Sequence, residues 1–355
     1  MTVCLKIKKK FAEDTRKLLL EENLLSKKFK IASEGEFLII PLNKALDVQI
    51  KEKLSKLQVD YQLITIDDLR PLKDKPNNHF EYLKDKLSPE EFELVPRSFD
   101  TIGDIIVIEI PDELLAKKDL IGKALLEVHS SIKSVFAKTG IVSGVNRIRP
   151  VELIAGKNET KTIYREHGVR LAVDITQAYF SPRLSEEHSR IARQVKDNEV
   201  IVDMFAGIGP FALPIAKRVN ATIHAIDINP EAIILLNENI TLNKLKGKIH
   251  AYCGDSRLVV QKEALENIAD RVIMNLPGYA IEFIDVACKL IKPEGGIIHF
   301  FEFVGGDREP EDIIIEDITR EVQKNNRKID NILAVKRVRM SAPRQWQMVV
   351  DAHIK

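Results

Sequence analysis

The residues whose types and spacing could do chemistry lie first in the run Asp203-Met204-Phe205-Ala206-Gly207-Ile208-Gly209-Pro210-Phe211. An apolar strand ends in an acid, and a Gly-x-Gly turn then opens a helix. The glycines let a backbone approach a ligand where a Cβ would collide. On its own, Gly-x-Gly also fits a plain tight turn. A second acid follows in Ala225-Ile226-Asp227-Ile228-Asn229-Pro230, where a strand end can accept hydrogen bonds from ribose hydroxyls. Next come Gly254-Asp255-Ser256, able to reach an adenine amine, and Met274-Asn275-Leu276-Pro277. Four polar strand ends on one sheet edge define one cleft. A nicotinamide dehydrogenase is the rival owner of such a cleft. Its third glycine falls on Ala212 here, a permitted variant that does not decide.

Such a cleft needs a sheet to carry it. From Arg183 onward, strands are predicted at 199–204, 222–227, 248–252, 271–275 and 296–302, with helices at 210–218, 230–243, 280–290 and 311–324. Segments 331–340 and 346–354 then follow one another as an antiparallel pair. The expected fold class is α/β: a mostly parallel, doubly wound, Rossmann-like sheet over 183–355 with a final hairpin.

Two smaller α/β or α+β modules precede it. Residues 1–67 alternate strands at 3–7 and 37–41 with helices at 11–22 and 45–57. A linker over 68–79 is marked by Pro71, Pro76, Asn77 and Asn78. In 80–182, Ser88-Pro89-Glu90-Glu91 reads as a helix start. A strand at 105–110, a helix at 117–128 and strands at 151–155, 160–166 and 169–175 follow, the last two joined at His167-Gly168.

The chain has 355 residues, 45% hydrophobic and 30% charged, which suits two or three soluble domains with real cores. A net charge of +1 argues against a polybasic, non-specific nucleic-acid binder, though not against a specific RNA enzyme. Lys133, Lys138, Arg147 and Arg149 form a small basic cluster with no acid among them. No apolar run reaches the ~18 residues of a membrane span, and the first residues lack a secretory stretch. A cytoplasmic protein is expected. Cys4, Cys253 and Cys288 fit neither a disulfide framework nor a zinc site, and are read as buried free thiols. No metal site is expected.

The strand-end motifs resemble those of class I S-adenosylmethionine-dependent methyltransferases. Further strings narrow the resemblance: Cys4-Leu5-Lys6-Ile7, Ile102-Gly103-Asp104, Arg147-Ile148-Arg149-Pro150, Tyr179-Phe180-Ser181-Pro182-Arg183-Leu184, Asn275-Leu276-Pro277 and Ser341-Ala342-Pro343-Arg344. Spread over nearly the whole chain, they resemble the archaeal tRNA (guanine-N1)-methyltransferases that act at position 37, of the type with a small extra N-terminal domain.

That resemblance implies S-adenosyl-L-methionine as cofactor, tRNA as partner and a monomer in the cytoplasm. N1 of guanine carries a proton at neutral pH, so methylation needs a base near N1 and a cation near O6. The resemblance places the base at Glu187, with Glu186 beside it, and the guanine-contacting cation at Arg147. Asn275 would hold cofactor and guanine together. Cofactor contacts carry over to Tyr179, Asp203, Phe205, Gly207, Gly209, Asp227, Ile228, Asp255, Ser256 and Asn275. His188 stands where relatives can carry a cofactor-touching arginine. Arg147, Arg183 and Pro277 would meet the RNA. Lys336, Arg337, Arg339 and Arg344 could border the cleft from the hairpin. Residues 1–67 would recognise tRNA, and 80–182 would bind RNA and complete the active site. Two alternatives remain: a wyosine-pathway enzyme that transfers an aminocarboxypropyl group or methylates a tricyclic guanine, and a non-catalytic cofactor-binding RNA module.

Overall fold

The computed structural model describes residues 2–67, 69, 76–140, 144 and 147–355. The chain divides into two compact units, Met1–Pro76 and Asn77–Lys355. Most of the stretch read as a linker lies outside the described residues.

In the first unit, β1 (Thr2–Lys8), α1 (Ala12–Glu21), β2 (Ala32–Glu34), β3 (Phe37–Pro41), α2 (Val48–Lys56) and β4 (Tyr61–Ile66) build a four-stranded sheet ordered β2-β3-β1-β4. The sequence reading lacked β2 and β4. β4 alternates too weakly to show itself, and its residues are partly or largely exposed. The second helix starts at Val48 rather than 45, because the Asp47 carboxylate caps it by accepting from Ile50 N at 2.9 Å.

The second unit opens with α3 (His79–Leu83) and α4 (Pro89–Glu93). At α4 the capping box forms as the sequence suggests. Ser88 Oγ accepts from Glu91 N, and Glu91 Oε2 accepts from Ser88 N at 2.9 Å. Next, β5 (Phe99–Ile102), β6 (Ile105–Ile108), α5 (Lys118–Val128), β7 (Ser134–Lys138) and β8 (Val151–Gly156) make a sheet ordered β5-β6-β7-β8. The strand β7 corrects the basic-cluster reading. Lys133 is paired with Asp104 at 2.7 Å, and Lys138 is half-buried between Asp100 and Glu109. The hairpin β9 (Lys161–Glu166) and β10 (Val169–Asp174) turns at His167-Gly168. Asn239 docks it: its Oδ1 accepts from Ala172 N at 2.6 Å and its Nδ2 donates to Ala172 O at 3.2 Å.

The remaining elements are α6 (Ser185–Gln194), β11 (Val200–Asp203), α7 (Ala212–Arg218), β12 (Thr222–Asp227), α8 (Pro230–Leu242), β13 (Lys248–Cys253), α9 (Ser256–Lys262), β14 (Arg271–Asn275), α10 (Ile284–Leu290), β15 (Gly296–Gly305), α11 (Pro310–Lys324), β16 (Ile329–Ala342) and β17 (Gln345–Ile354). They give a seven-stranded sheet ordered β13-β12-β11-β14-β15-β17-β16, parallel up to β15 and antiparallel at β17 and β16. The doubly wound sheet with a final hairpin is therefore observed. Alternation along each strand divides two cores. Ile201, Ile223, Ile273 and Phe301 face one, while Val202, Ile226, Met274 and Phe300 face the other.

Cys4 and Cys288 are buried as expected, and burial pushes the Cys288 thiol up to about 11. Cys253 corrects that reading: it ends edge strand β13 and is exposed. No helix among the described residues is long and apolar enough to cross a membrane. Among them, no group of three or more His, Cys, Asp or Glu could hold a metal ion.

Candidate active site

The carboxyl ends of β11, β12, β13 and β14 open into a cavity of about 250 Å³. Parallel strands place their terminal residues together, which is why motifs some 20 residues apart in sequence meet here. Asp227 organises the floor. Its Oδ2 accepts from Gly207 N at 2.6 Å and its Oδ1 from Asn229 N at 2.9 Å. Burial pushes its carboxyl up, and these N–H groups pull it back. Gly207 needs its φ of 55° to present that N–H, a conformation glycine adopts freely. Asn229 is fixed in turn by donating from Nδ2 to Gln177 O at 2.7 Å.

Gly254, Asp255 and Ser256 line the next section. Ser256 Oγ donates to Met204 O at 2.7 Å, tying the β13 end to the glycine-rich turn. Asp255 caps α9 through Arg257 N at 2.8 Å. Phe205, Ile228 and Phe283 supply apolar wall, with Phe205 and Phe283 edge to face at 5.0 Å. A polar floor between apolar walls suits a nucleoside.

At the other end stand Asn275, Leu276 and Pro277. The Asn275 Oδ1 is buried without a hydrogen-bond partner, an acceptor open to a ligand donor. Arg147 comes from the segment between β7 and β8 and donates from Nη1 to Pro277 O at 3.1 Å. Glu302 fastens this turn from beneath. Its Oε1 accepts from Gly278 N and, at 2.7 Å, from Phe303 N. Burial pushes the Glu302 carboxyl up, against the pull of the Gly278, Phe303 and Ile281 N–H groups and of Arg147. Arg339 and Gln347, joined at 2.8 Å, close the wall from the terminal hairpin.

Of the residues singled out in the sequence, Arg147, Tyr179, His188, Phe205, Gly207, Asp227, Ile228, Asp255, Ser256, Asn275 and Pro277 all line this one cavity. Of the hairpin cations expected to border the cleft, Arg339 lines it, while Lys336, Arg337 (paired with Glu309 and Glu311) and Arg344 (paired with Asp307) do not; four of the catalytic, cofactor and RNA candidates also lie outside the lining. Gly209 packs against α8 and α7, where an added Cβ would sit 2.5 Å from Leu236 Cδ1. Asp203 is fully buried without a side-chain partner, and burial pushes its carboxyl up to about 8, the Phe205 N–H opposing and Asp227 adding. Arg183 is engaged by Asp100 at 2.6 Å. Glu187 is buried on α6, next to the cavity-lining His188, and its carboxylate is ion-paired, accepting from Arg190 Nε at 2.7 Å. His188 does reach the cavity, with its Nδ1 2.8 Å from Glu166 Oε1 and its ring edge-on to Phe211.

Sequence reading missed Gln347, Phe283, Phe303, Glu302, Glu166 and Arg190. Glu302 and Glu166 each carried a signal, as an acid closing a predicted strand. The others owe their places to register and helix face.

A parallel-stranded cleft with a glycine-rich turn, an acid at the end of the second strand and a terminal hairpin defines a Rossmann-like methyltransferase. The family profile described as "TRM5/TYW2 methyltransferase domain" matches residues 162–336, "TYW2 N-terminal domain" matches 80–160 and "tRNA methyltransferase 5 N-terminal domain" matches 4–50. The tRNA (guanine(37)-N(1))-methyltransferase Trm5b of Pyrococcus abyssi is 38% identical over 100% of this chain and 99% of its own. The solved complex of aTrm5 and tRNALeu is 37% identical, with a TM-score of 0.74 over 99% of this chain and 100% of that one. Methanocaldococcus jannaschii Trm5 bound to adenosine is 37% identical, with a TM-score of 0.63 over 99% and 98%. The chain belongs to the TRM5/TYW2 methyltransferase family.

Proposed function

We propose that this protein transfers the methyl group of S-adenosyl-L-methionine to N1 of the guanosine at position 37 of tRNA, giving 1-methylguanosine beside the anticodon. One observation carries the reading. Arg147 and the free Asn275 acceptor, from segments far apart in the chain, converge at one end of a cleft whose other end suits a nucleoside.

The residues present fit that cofactor. Asp227 can receive ribose hydroxyls, Asp255 and Ser256 can meet adenine, and Phe205 and Ile228 can sandwich the ring. Tyr179, His188 and the turn held by Gly207 and Gly209 border the remaining length, with Asp203 buried at its root. Bound there, S-adenosylmethionine supplies an electrophilic methyl group. The chain's own residues must handle the guanine. Glu187 accepts the N1 proton as negative charge spreads to O6. Arg147 faces that charge, and Asn275 keeps the two partners side by side.

An anticodon-loop base can be splayed into such a pocket at modest cost. Arg147, Pro277 and Arg183, once freed from Asp100, meet the RNA. Residues 1–67 serve tRNA recognition beyond a linker at 68–79. Residues 80–182 bind RNA and lend Arg147 to the chemistry of 183–355. The enzyme works as a monomer in the cytoplasm.

The test is nucleoside analysis by mass spectrometry after incubating protein, S-adenosylmethionine and an unmodified tRNA transcript. The expected product is 1-methylguanosine, lost when guanine 37 is changed to adenine. A product only on tRNA carrying a tricyclic wyosine precursor would move the activity to that chemistry instead.

A further inference from the structure

Glu187 ends a chain of buried polar groups that crosses four elements. Arg190, three residues on along α6, donates from Nε to Glu187 Oε2 at 2.7 Å. Its Nη1 and Nη2 grip both oxygens of Asp351 on β17, the latter at 3.1 Å. Asp351 also accepts from His299 Nδ1 on β15 at 2.7 Å and from Gln194 Nε2 at 3.1 Å. Beyond it, Arg271 Nη1 on β14 lies 3.4 Å from His299 Nε2, and Arg271 pairs with Glu199 at 2.6 Å. The side chains of Glu187, Arg190, Asp351 and His299 are 8, 12, 1 and 0% exposed, so this is no solvated helix pair of the kind that contributes little.

We propose that Arg190 is a positioning residue for Glu187: clamped by Asp351, it fixes the carboxylate of Glu187 and keeps a positive charge against it until guanine enters. The inference rests on Glu187 being the base. The charged and titratable groups joined to this pair are Asp351 on β17, then His299 on β15 and Arg271 on β14; His188, beside Glu187 in the helix, is engaged instead by Glu166 on β9.

The reason two carboxylates share one guanidinium lies in what happens when the proton moves. A buried cation left without a counter-charge is strongly unfavourable. When the guanine N1 proton passes to Glu187, that carboxylate becomes neutral. Arg190 is not orphaned, because Asp351 remains on it as an anion. Burial opposes that ionised state, but the hydrogen bonds from His299 and Arg190 hold the Asp351 carboxyl well below the usual carboxylate range. Burial pushes the His299 imidazole below its usual range, against the pull of Asp351, which disfavours a competing cation in the cluster. Arg190 can therefore hold Glu187 before proton transfer and tolerate its neutralisation afterwards.

The experiment measures single-turnover methyl transfer against pH on full-length protein with a tRNA transcript, for wild type, Arg190→Gln, Arg190→Lys and Glu187→Gln. Calorimetry gives the S-adenosylmethionine Kd of each. Removing the neighbouring positive charge makes a carboxylate easier to protonate. In Arg190→Gln the acid limb of the rate profile should move up by about one pH unit or more, with cofactor Kd unchanged. Arg190→Lys keeps the charge but loses the fork that spans two carboxylates. Its acid limb should stay in place while the plateau rate falls several-fold at unchanged KM for tRNA. That variant decides the matter if Arg190→Gln does not fold. A uniform loss at every pH in Arg190→Gln, or a wild-type profile in Arg190→Lys, overturns the inference while leaving Glu187 as base. Full activity in Glu187→Gln overturns the base itself and the inference with it.

Discussion

Arg147 Nη1 donates to the carbonyl oxygen of Pro277 at 3.1 Å, joining residues 130 positions apart in the chain. The backbone of Arg147 has a φ of 51°, in the left-handed region that arginine rarely adopts. The turn thus aims the guanidinium at the Asn275 end of the cleft, where O6 charge would develop. Arg147→Ala should lower the single-turnover rate by roughly 100-fold, in the range found when a positioned donor is removed from developing charge. The S-adenosylmethionine Kd should hardly change. Equal losses in rate and cofactor affinity would mean that Arg147 only shapes the cavity.

Asp203 gives a pH prediction. Its carboxyl is pushed up to about 8 by burial, from 3.8 in an unperturbed chain. Between those values the folded state holds a proton that the unfolded state has released. Its contribution is therefore present at low pH and lost as pH rises towards 8. Asp203→Asn imitates the neutral form at every pH. The cofactor-free variant should melt close to wild type at pH ~5 and on the order of 5 °C higher at pH ~8.5. Thermal scans at both pH values check it, and a shift of equal size at both would count against titration of Asp203.

These residues also show how much of the site was legible in the sequence. Asp227, Asp255, Asn275 and the glycine turn could be read because parallel strands put their ends on one edge whatever else the fold does. Arg147 was found through family resemblance alone, since nothing local in Arg147-Ile148-Arg149 says that its side chain reaches Pro277. Arg190, Gln347 and Glu166 were not found. Their partners Asp351, Arg339 and His188 lie 161, 8 and 22 positions away, set by strand register and helix face. Glu187 was picked as a base but not as an ion-paired one, because Arg190 looks like an ordinary helix neighbour until β17 brings up Asp351. Strand β7 was hidden by Lys133 just before it and Lys138 at its end, although its centre, Val135-Phe136-Ala137, is fully apolar.

The two glycines of the turn should respond differently to alanine. Gly209 has a φ of 90°, and its Cβ would meet Leu236 Cδ1 at 2.5 Å and Leu213 Cδ1 at 3.0 Å. Backbone strain and overpacking add there, so Gly209→Ala should cost about 2–4 kcal/mol in denaturant unfolding. Gly207 has a φ of 55° and meets only Tyr179 O at 3.8 Å. Gly207→Ala should cost about 1 kcal/mol, with its larger effect on S-adenosylmethionine affinity because the new methyl borders the cavity. Similar stability losses in both would argue against the packing role of Gly209.

Glu302 supports the Asn275-Leu276-Pro277 turn without lining the cavity. Its Oε1 accepts from Gly278 N, immediately beyond Asn275-Leu276-Pro277, and from Phe303 N on β15, while its Oε2 is buried without a partner. Glu302→Ala removes that acceptor and leaves two backbone donors unsatisfied, which should cost about 2–3 kcal/mol and loosen the turn. The rate of methyl transfer should then fall more than cofactor affinity, since Asp227 and Asp255 are untouched. Glu302→Gln keeps an acceptor oxygen in place and should retain most of the activity. The pH dependence follows from burial, which pushes the Glu302 carboxyl above its usual 4.5. The folded state therefore holds this proton more tightly than the unfolded one, and stability should decline as pH rises through the raised value. Glu302→Gln, neutral throughout, should remove that part of the decline. Denaturant unfolding of wild type and Glu302→Gln at pH ~5 and ~8 makes the comparison. A gap between the two proteins that does not widen at the higher pH would show that Glu302 anchors the turn as a carboxylate already ionised at the lower one.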